Sequence, residues 1–227
     1  MTITGISSMA TRALLAELAA EFAQHAACRV AFESVGGVDA AKRVEAGEPF
    51  DVVVLAADAI DRLQAAGHVV PGTRVDVTRS AVAVAVPAGA PRPDLESEEA
   101  VRRAVLAARR IGYSTGPSGT ELNRLFARWG IAGEVAPRMV QARAGVPVAA
   151  LVASGEVDLG FQQYAEMMNA PGIAVVGALP SGVEIVTTFA GGVCAAAPAP
   201  GRARELLAFL ASPETAAAKR RHGMQPA

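Results

Sequence analysis

Aromatic side chains are scarce in this 227-residue chain: seven Phe, two Tyr and one Trp, or 4% of the total. That scarcity argues against sugar recognition, which leans on aromatic faces for stacking. The single Trp is already spoken for, because Leu122, Leu125, Phe126 and Trp129 form one stripe at helical spacing and read as core. Net charge is nearly absent too, with 21 Lys and Arg against 22 Asp and Glu. No strong field therefore points to nucleic acid or an acidic membrane surface. The two cysteines, Cys28 and Cys194, lie far apart in no metal or redox spacing and read as buried free thiols. No apolar run of about 18 residues is present, so direct membrane insertion is not expected. The opening "MTITGI" lacks a basic region followed by an apolar core and cleavage site. The expected location is cytoplasmic if Met1 is the natural start, and periplasmic if a signal peptide was removed. Metal clusters, nucleophile elbows and phosphate-binding loops are missing as motifs, and no cofactor is expected.

What the sequence does contain is apolar alternation, at 52% hydrophobic residues, many of them Ala and Val. Strand-like runs such as "RVAFES" and "FDVVVLAA" alternate with helix-like runs such as "MATRALLAELAAEFAQHA", where Leu14, Leu15, Leu18 and Phe22 recur at helical spacing. This β-α-β-α order predicts an α/β fold with mostly parallel sheets flanked by helices. A strand pattern from Val77 to Val86 ends at the Pro-rich "PAGAPRP", after which the rhythm restarts. The expectation is two lobes: residues 1–82 with 191–227, and an inserted lobe 83–190, joined by two crossing strands, with a ligand cleft between them.

Three strand-to-helix junctions are unusually small and polar. Ser7 and Ser8 stand where the first helix should begin, with Ser8 predicted as its N-cap. Gly36 and Gly37 occupy the second junction. In "STGPSGTEL", Ser118 and Glu121 match the S-x-x-E capping box, which predicts a helix starting at Ser118. Helix starts expose unpaired N–H groups and a partial positive charge, so several aimed at one point make an anion site without Lys or Arg. Ligands of open α/β sheets also bind beyond the carboxyl ends of the strands, where these turns lie.

The segments "GISSMATRALLAELAAEF", "FDVVVLAADAIDRLQAAG", "SAVAVAVPAGAP", "LVASGEVDLGF" and "LLAFLASPETAAAKRRHGM" resemble the type II periplasmic solute-binding proteins of the molybdate-binding kind. The resemblance implies two lobes closing on an oxyanion held by hydroxyls and backbone N–H groups. Position by position, Ser7 and Ser8 match the family's first serine loop, and Gly36-Gly37 stands where a serine–glycine pair is usual. "GFQQY" replaces a Gly-Phe-Val-Tyr type run, so Gln163 takes the tyrosine position and Tyr164 follows it. "IGYSTGPSG", "LFARWGI" and "GFQQ" look more like a divergent subgroup that includes aconitate isomerase-like proteins. These departures turn the expectation from molybdate towards a di- or tricarboxylate.

Two functions follow from the resemblance. The first is a solute-binding protein for a small anion, partnered by ABC transporter membrane subunits if exported. The second is an isomerase that moves a double bond in a tricarboxylate, for which Glu33 and Tyr164 are the candidate bases and His25 reads as surface. The expected contacts are Ser7, Ser8, Gly36, Gly37, Thr115, Ser118, Gly119, Thr120 and Gln163. A polycarboxylate would also call for an arginine fork, supplied by Arg12, Arg79 or Arg143.

Overall fold

A computed structural model describes residues 2–26, 28–143 and 145–227. Two compact units emerge from its contacts: the chain up to Ser80 together with Thr188–Ala227, and Ala81–Thr187.

In the first unit β1 (Thr2–Ser8), α1 (Arg12–Ala26), β2 (Arg29–Val35), α2 (Gly37–Glu45), β3 (Val52–Ala56) and α3 (Ala57–Ala65) alternate as the sequence predicts. Strand β1 lies between β2 and β3 and runs parallel to both. All five residues of β3 are buried, so its unbroken "VVVLA" suits a strand covered on both faces. At the sheet edge, β2 instead alternates exposed Arg29, Ala31 and Glu33 with half-buried Val30, Phe32 and Ser34. Helix α1 buries Leu14, Leu15, Leu18, Ala19 and Phe22. Each large apolar side chain so buried contributes roughly 1.5–3 kcal/mol. From this unit β4 (Val75–Pro87) carries the chain into the second.

The second unit continues with α4 (Glu98–Ala107), β5 (Ile111–Tyr113), α5 (Pro117–Arg128), α6 (Ala132–Val135), β6 (Met139–Gln141), α7 (Val148–Ala153), β7 (Leu159–Gln163), α8 (Tyr164–Met167) and β8 (Ile173–Ala178). Parallel pairing joins β6 to β5 and β5 to β7, while β4 runs antiparallel to β7 and β8. Strand β4 divides this unit's core by its period of two. Val82, Val84 and Val86 enter a cluster with Ile111, Phe126 and Phe161, whereas Ala83 and Ala85 face Val148, Val152 and Met167. The second face is built from small residues because α7 packs close: a Cβ on Gly160 would lie 2.4 Å from Val152 Cγ2.

The chain returns through β9 (Val186–Val193), which pairs antiparallel with β3, and ends in α9 (Pro200–Ala211), α10 (Ala216–Arg221) and β10 (Gln225–Pro226). Phe209 of α9 meets Phe22 of α1 with ring centroids 5.5 Å apart. Cys28 and Cys194 are buried free thiols. Trp129 is half-buried and stacks on Phe126 at 5.8 Å, in the core role its spacing predicts. No helix among the described residues is long and apolar enough to cross a membrane.

Candidate functional site

In the first unit the carboxyl ends of parallel β1 and β2 carry the serine and glycine junctions. Ser7 pairs in register with Ser34, and their Oγ atoms lie 2.9 Å apart. The next residue, Ser8, is 8% exposed, and its Oγ is buried without a hydrogen-bond partner. Ser8 holds an N-cap position, but of a 3₁₀ turn (Met9–Thr11) that precedes α1, and its side chain makes no cap hydrogen bond. Thr11 Oγ1 donates back to the Ser8 carbonyl. Gly36 is the N-cap of α2, and a Cβ built on Gly37 would stand 3.8 Å from Ser8 Cβ. The two junctions therefore meet within this unit. Asp39, in the first turn of α2, occupies part of that helix's positive end.

In the second unit Ser118 is buried, and its Oγ meets Ser114 Oγ at 2.9 Å. The predicted capping box is overturned. Pro117 takes the first helical position, where its missing N–H costs nothing, so Gly116 becomes the N-cap and Ser118 lies inside the first turn. Glu121 pairs with Arg124 instead of reaching back. Gly119 N–H and Thr120 N–H both donate to the Gly116 carbonyl, at 3.0 and 3.3 Å, so neither amide is spare for a ligand. Gly119 has a packing role: a Cβ there would fall 2.0 Å from the Ser114 carbonyl oxygen. Thr115 and Thr120 are exposed.

Gln163 ends β7 at 4% exposure. Its Nε2 donates to Thr187 Oγ1 at 2.7 Å, and its Oε1 is buried without a partner. Because a hydroxyl can donate or accept, Thr187 satisfies either end of the amide, and the free end can be the carbonyl or the NH₂.

The remaining candidates are placed less favourably. Glu33 is a half-exposed carboxylate clamped by Arg43, whose guanidinium also holds Glu48. The Arg43 hydrogen bond holds Glu33 below the ordinary carboxylate range, the opposite of what a general base needs. The expectation for Glu33 is thereby corrected. Arg79 is exposed and donates to the Pro226 carbonyl from Nε and a terminal nitrogen, so its fork is engaged on β10. Arg12 and Arg143 are exposed. His25 is exposed on the last turn of α1, its Nδ1 against the Glu21 carbonyl. Tyr164 opens α8 and packs half-buried on the Val148–Val152 cluster.

Gln162 and Glu166 are not among the residues that the sequence pattern marks. Gln162 accepts from Ala149 N–H at 3.3 Å and donates to Glu166 Oε1 at 2.9 Å. Burial pushes Glu166 up to about 7, opposed only by the Gln162 bond. The available signal was topological: β6 runs parallel to β5 and leads into α7 at the same carboxyl edge, although its junction holds no serine. No group of three or more metal-ligating side chains occurs among the described residues.

In each unit, parallel strands carry helix starts at their carboxyl ends, where open α/β sheets bind ligands. The chain belongs to the bacterial extracellular solute-binding protein family. That family's model matches residues 3–225. Over 187 residues the chain is 38% identical to an aconitate isomerase from Pseudomonas sp, covering 81% of this chain and 70% of that protein. Among solved structures, the periplasmic molybdate-binding protein of Azotobacter vinelandii matches at TM-score 0.80 and 20% identity, over 98% of each chain. The tungstate ABC transporter protein of Geobacter sulfurreducens matches at 0.73 and 18%, over 96% of this chain and 97% of the other. The binding protein AgtB of A. tumefacien R10, solved with agropinic acid, matches at 0.71 and 14%, over 100% of this chain and 83% of its own. These structural likenesses show the solute-binding fold.

Proposed function

We propose that this solute-binding protein recognises a small organic polycarboxylate, with aconitate as the leading candidate. The observation that carries the reading is a pair of buried polar atoms without partners, Ser8 Oγ and Gln163 Oε1, each at the carboxyl edge of its own unit. A buried polar atom left unpaired costs about 1–3 kcal/mol, a penalty that a ligand would remove. Similarity to an aconitate isomerase over most of the chain supports a tricarboxylate. Gln163, whose amide can turn against Thr187, suits a carboxylate through its NH₂ end. On this reading the candidate contacts within the first unit are Ser7, Ser8, Gly36 and Gly37, and those within the second unit are Ser118 and Gln163. Membrane subunits of an ABC transporter are the partner class if the role is uptake.

A second reading is turnover, the shift of the double bond between cis- and trans-aconitate. The 38% relative favours it, and so does a carboxyl at Glu166 that burial raises to about 7.

A thermal-shift panel of citrate, cis- and trans-aconitate, molybdate, tungstate and sulfate tests the first reading. A ligand at 100 times its Kd should stabilise by about 2.7 kcal/mol, or roughly 5–10 °C for a chain of this length. Shifts with the organic acids alone support the reading, and a shift with molybdate or tungstate alone overturns it. Ultraviolet absorbance of the two aconitates over hours tests turnover.

A further inference from the structure

One carboxyl at the carboxyl edge of the second unit lies outside the contact set above. Glu166 lies in the first turn of α8, three residues beyond Gln163. Its Oε1 accepts from Gln162 Nε2 at 2.9 Å, and Gln162 is anchored in turn on Ala149 N–H at the start of α7. Two strand-to-helix junctions thus fix the position of a single carboxyl through one neutral amide. Among the described residues, its side-chain hydrogen bond is to the neutral amide of Gln162. Glu166 itself is half-buried, and the other titratable residue on its short helix is Tyr164. Holding a carboxyl in such surroundings costs stability, and acid–base groups are where proteins concentrate that arrangement.

We propose that Glu166 carries the migrating proton of the double-bond shift, taking it from the methylene of the bound tricarboxylate and returning it to the former vinyl carbon. This assignment rests on the turnover reading. In the first step a C–H bond breaks and an O–H bond forms on the Glu166 carboxylate. The electron pair passes into the allyl system and onto the adjoining ligand carboxylate. In the second step that O–H bond breaks, the proton joins the far carbon, and the double bond settles one position along. One proton leaves and one returns, with no oxidant or reductant involved. Gln162 is a positioning residue that occupies Oε1 and leaves Oε2 for the proton. A group half-ionised near neutrality serves both steps, since each half of the cycle needs one of its two forms.

The test compares the wild type with Glu166→Gln and Glu166→Asp on cis- and trans-aconitate, by ultraviolet absorbance and by deuterium incorporation from heavy water. Ligand-induced thermal shift reports binding in parallel. Glutamine at 166 can still accept from Gln162, so that substitution keeps the contact and removes only the exchangeable proton. The expected result is a loss of roughly 10²–10⁴-fold in kcat and in deuterium uptake for Glu166→Gln, with the ligand shift kept. Glu166→Asp should retain slower turnover with a displaced pH profile. Turnover of Glu166→Gln within about tenfold of wild type overturns the assignment, as does a loss of binding that matches the loss of rate. A wild type that binds aconitate without interconverting it overturns the turnover reading, and this assignment with it.

Discussion

Ser7 and Ser34 face one another across β1 and β2 with their hydroxyl oxygens 2.9 Å apart. This pairing satisfies Ser7 from inside the protein and leaves Ser8, one residue on, as the hydroxyl without a partner. Ser8→Ala should therefore leave the ligand-free melting temperature unchanged or slightly raised, because no hydrogen bond is lost and a desolvated hydroxyl is removed. Affinity for the ligand should fall roughly tenfold to a hundredfold, the worth of one hydrogen bond to a charged group. Calorimetric titration alongside a melting curve checks both halves. A fall of several degrees without ligand would give Ser8 a structural role instead.

Gly119 exists for the Ser114 carbonyl. With a Cβ only 2.0 Å from that oxygen, Gly119→Ala must push the Ser114–Pro117 loop away from α5. Overpacking of this kind costs about 1–3 kcal/mol, or roughly 2–12 °C in melting temperature at this chain length. The Ser114–Ser118 hydroxyl contact should break with it, so ligand binding should weaken more than in Thr120→Ala, whose side chain is exposed. Equal binding by the two variants would show that the loop plays no part in recognition.

The alternation of apolar runs made the α/β architecture legible, since β3 and α1 bury the residues that their spacing marks. Small polar junctions were legible as places, but not as hydrogen bonds. At Ser118 the S-x-x-E pattern competed with Pro117, and proline's fixed φ and missing N–H decided the helix start. Glu33 was a candidate by its place before the Gly36-Gly37 junction alone. Its partner Arg43 comes from the following helix, ten residues on. Glu166 was invisible for the converse reason: its character comes from partial burial beside the neutral amide of Gln162, which no short window of sequence encodes.

Asp51, just before β3, ties three segments together. Its carboxylate accepts from Thr4 N–H at 2.9 Å, Thr4 Oγ1 at 3.1 Å and Ala199 N–H at 2.9 Å, joining β1 to the start of α9. Asp51 is 2% exposed, so Asp51→Ala would leave two amide donors without acceptors away from water. At about 1–3 kcal/mol for each, the loss should come to about 2–6 kcal/mol and lower the melting temperature by at least roughly 4 °C. Asp51→Asn should cost less, because its carbonyl still serves one of the two sites. Denaturant unfolding of both variants tests the order, and a smaller loss in Asp51→Ala than in Asp51→Asn would refute it.

The burial of Glu166 should also make stability fall as pH rises. Its folded value is about 7, against an ordinary 4.5. Below about pH 4.5 the group is protonated whether the chain is folded or not, and the neutral form sits in its site without a charge to desolvate. Between there and about pH 7 only the unfolded chain gives up the proton, so unfolding is progressively favoured, and the effect levels off above that range. At about 1.4 kcal/mol for each tenfold step, the loss reaches up to roughly 3 kcal/mol. Glu166→Gln has no proton to lose there and still accepts from Gln162. Its unfolding free energy should therefore overtake that of the wild type between about pH 5 and pH 8. Urea unfolding of the pair across that range gives the difference directly. Parallel curves would mean that the carboxyl is already ionised and solvated in the folded chain.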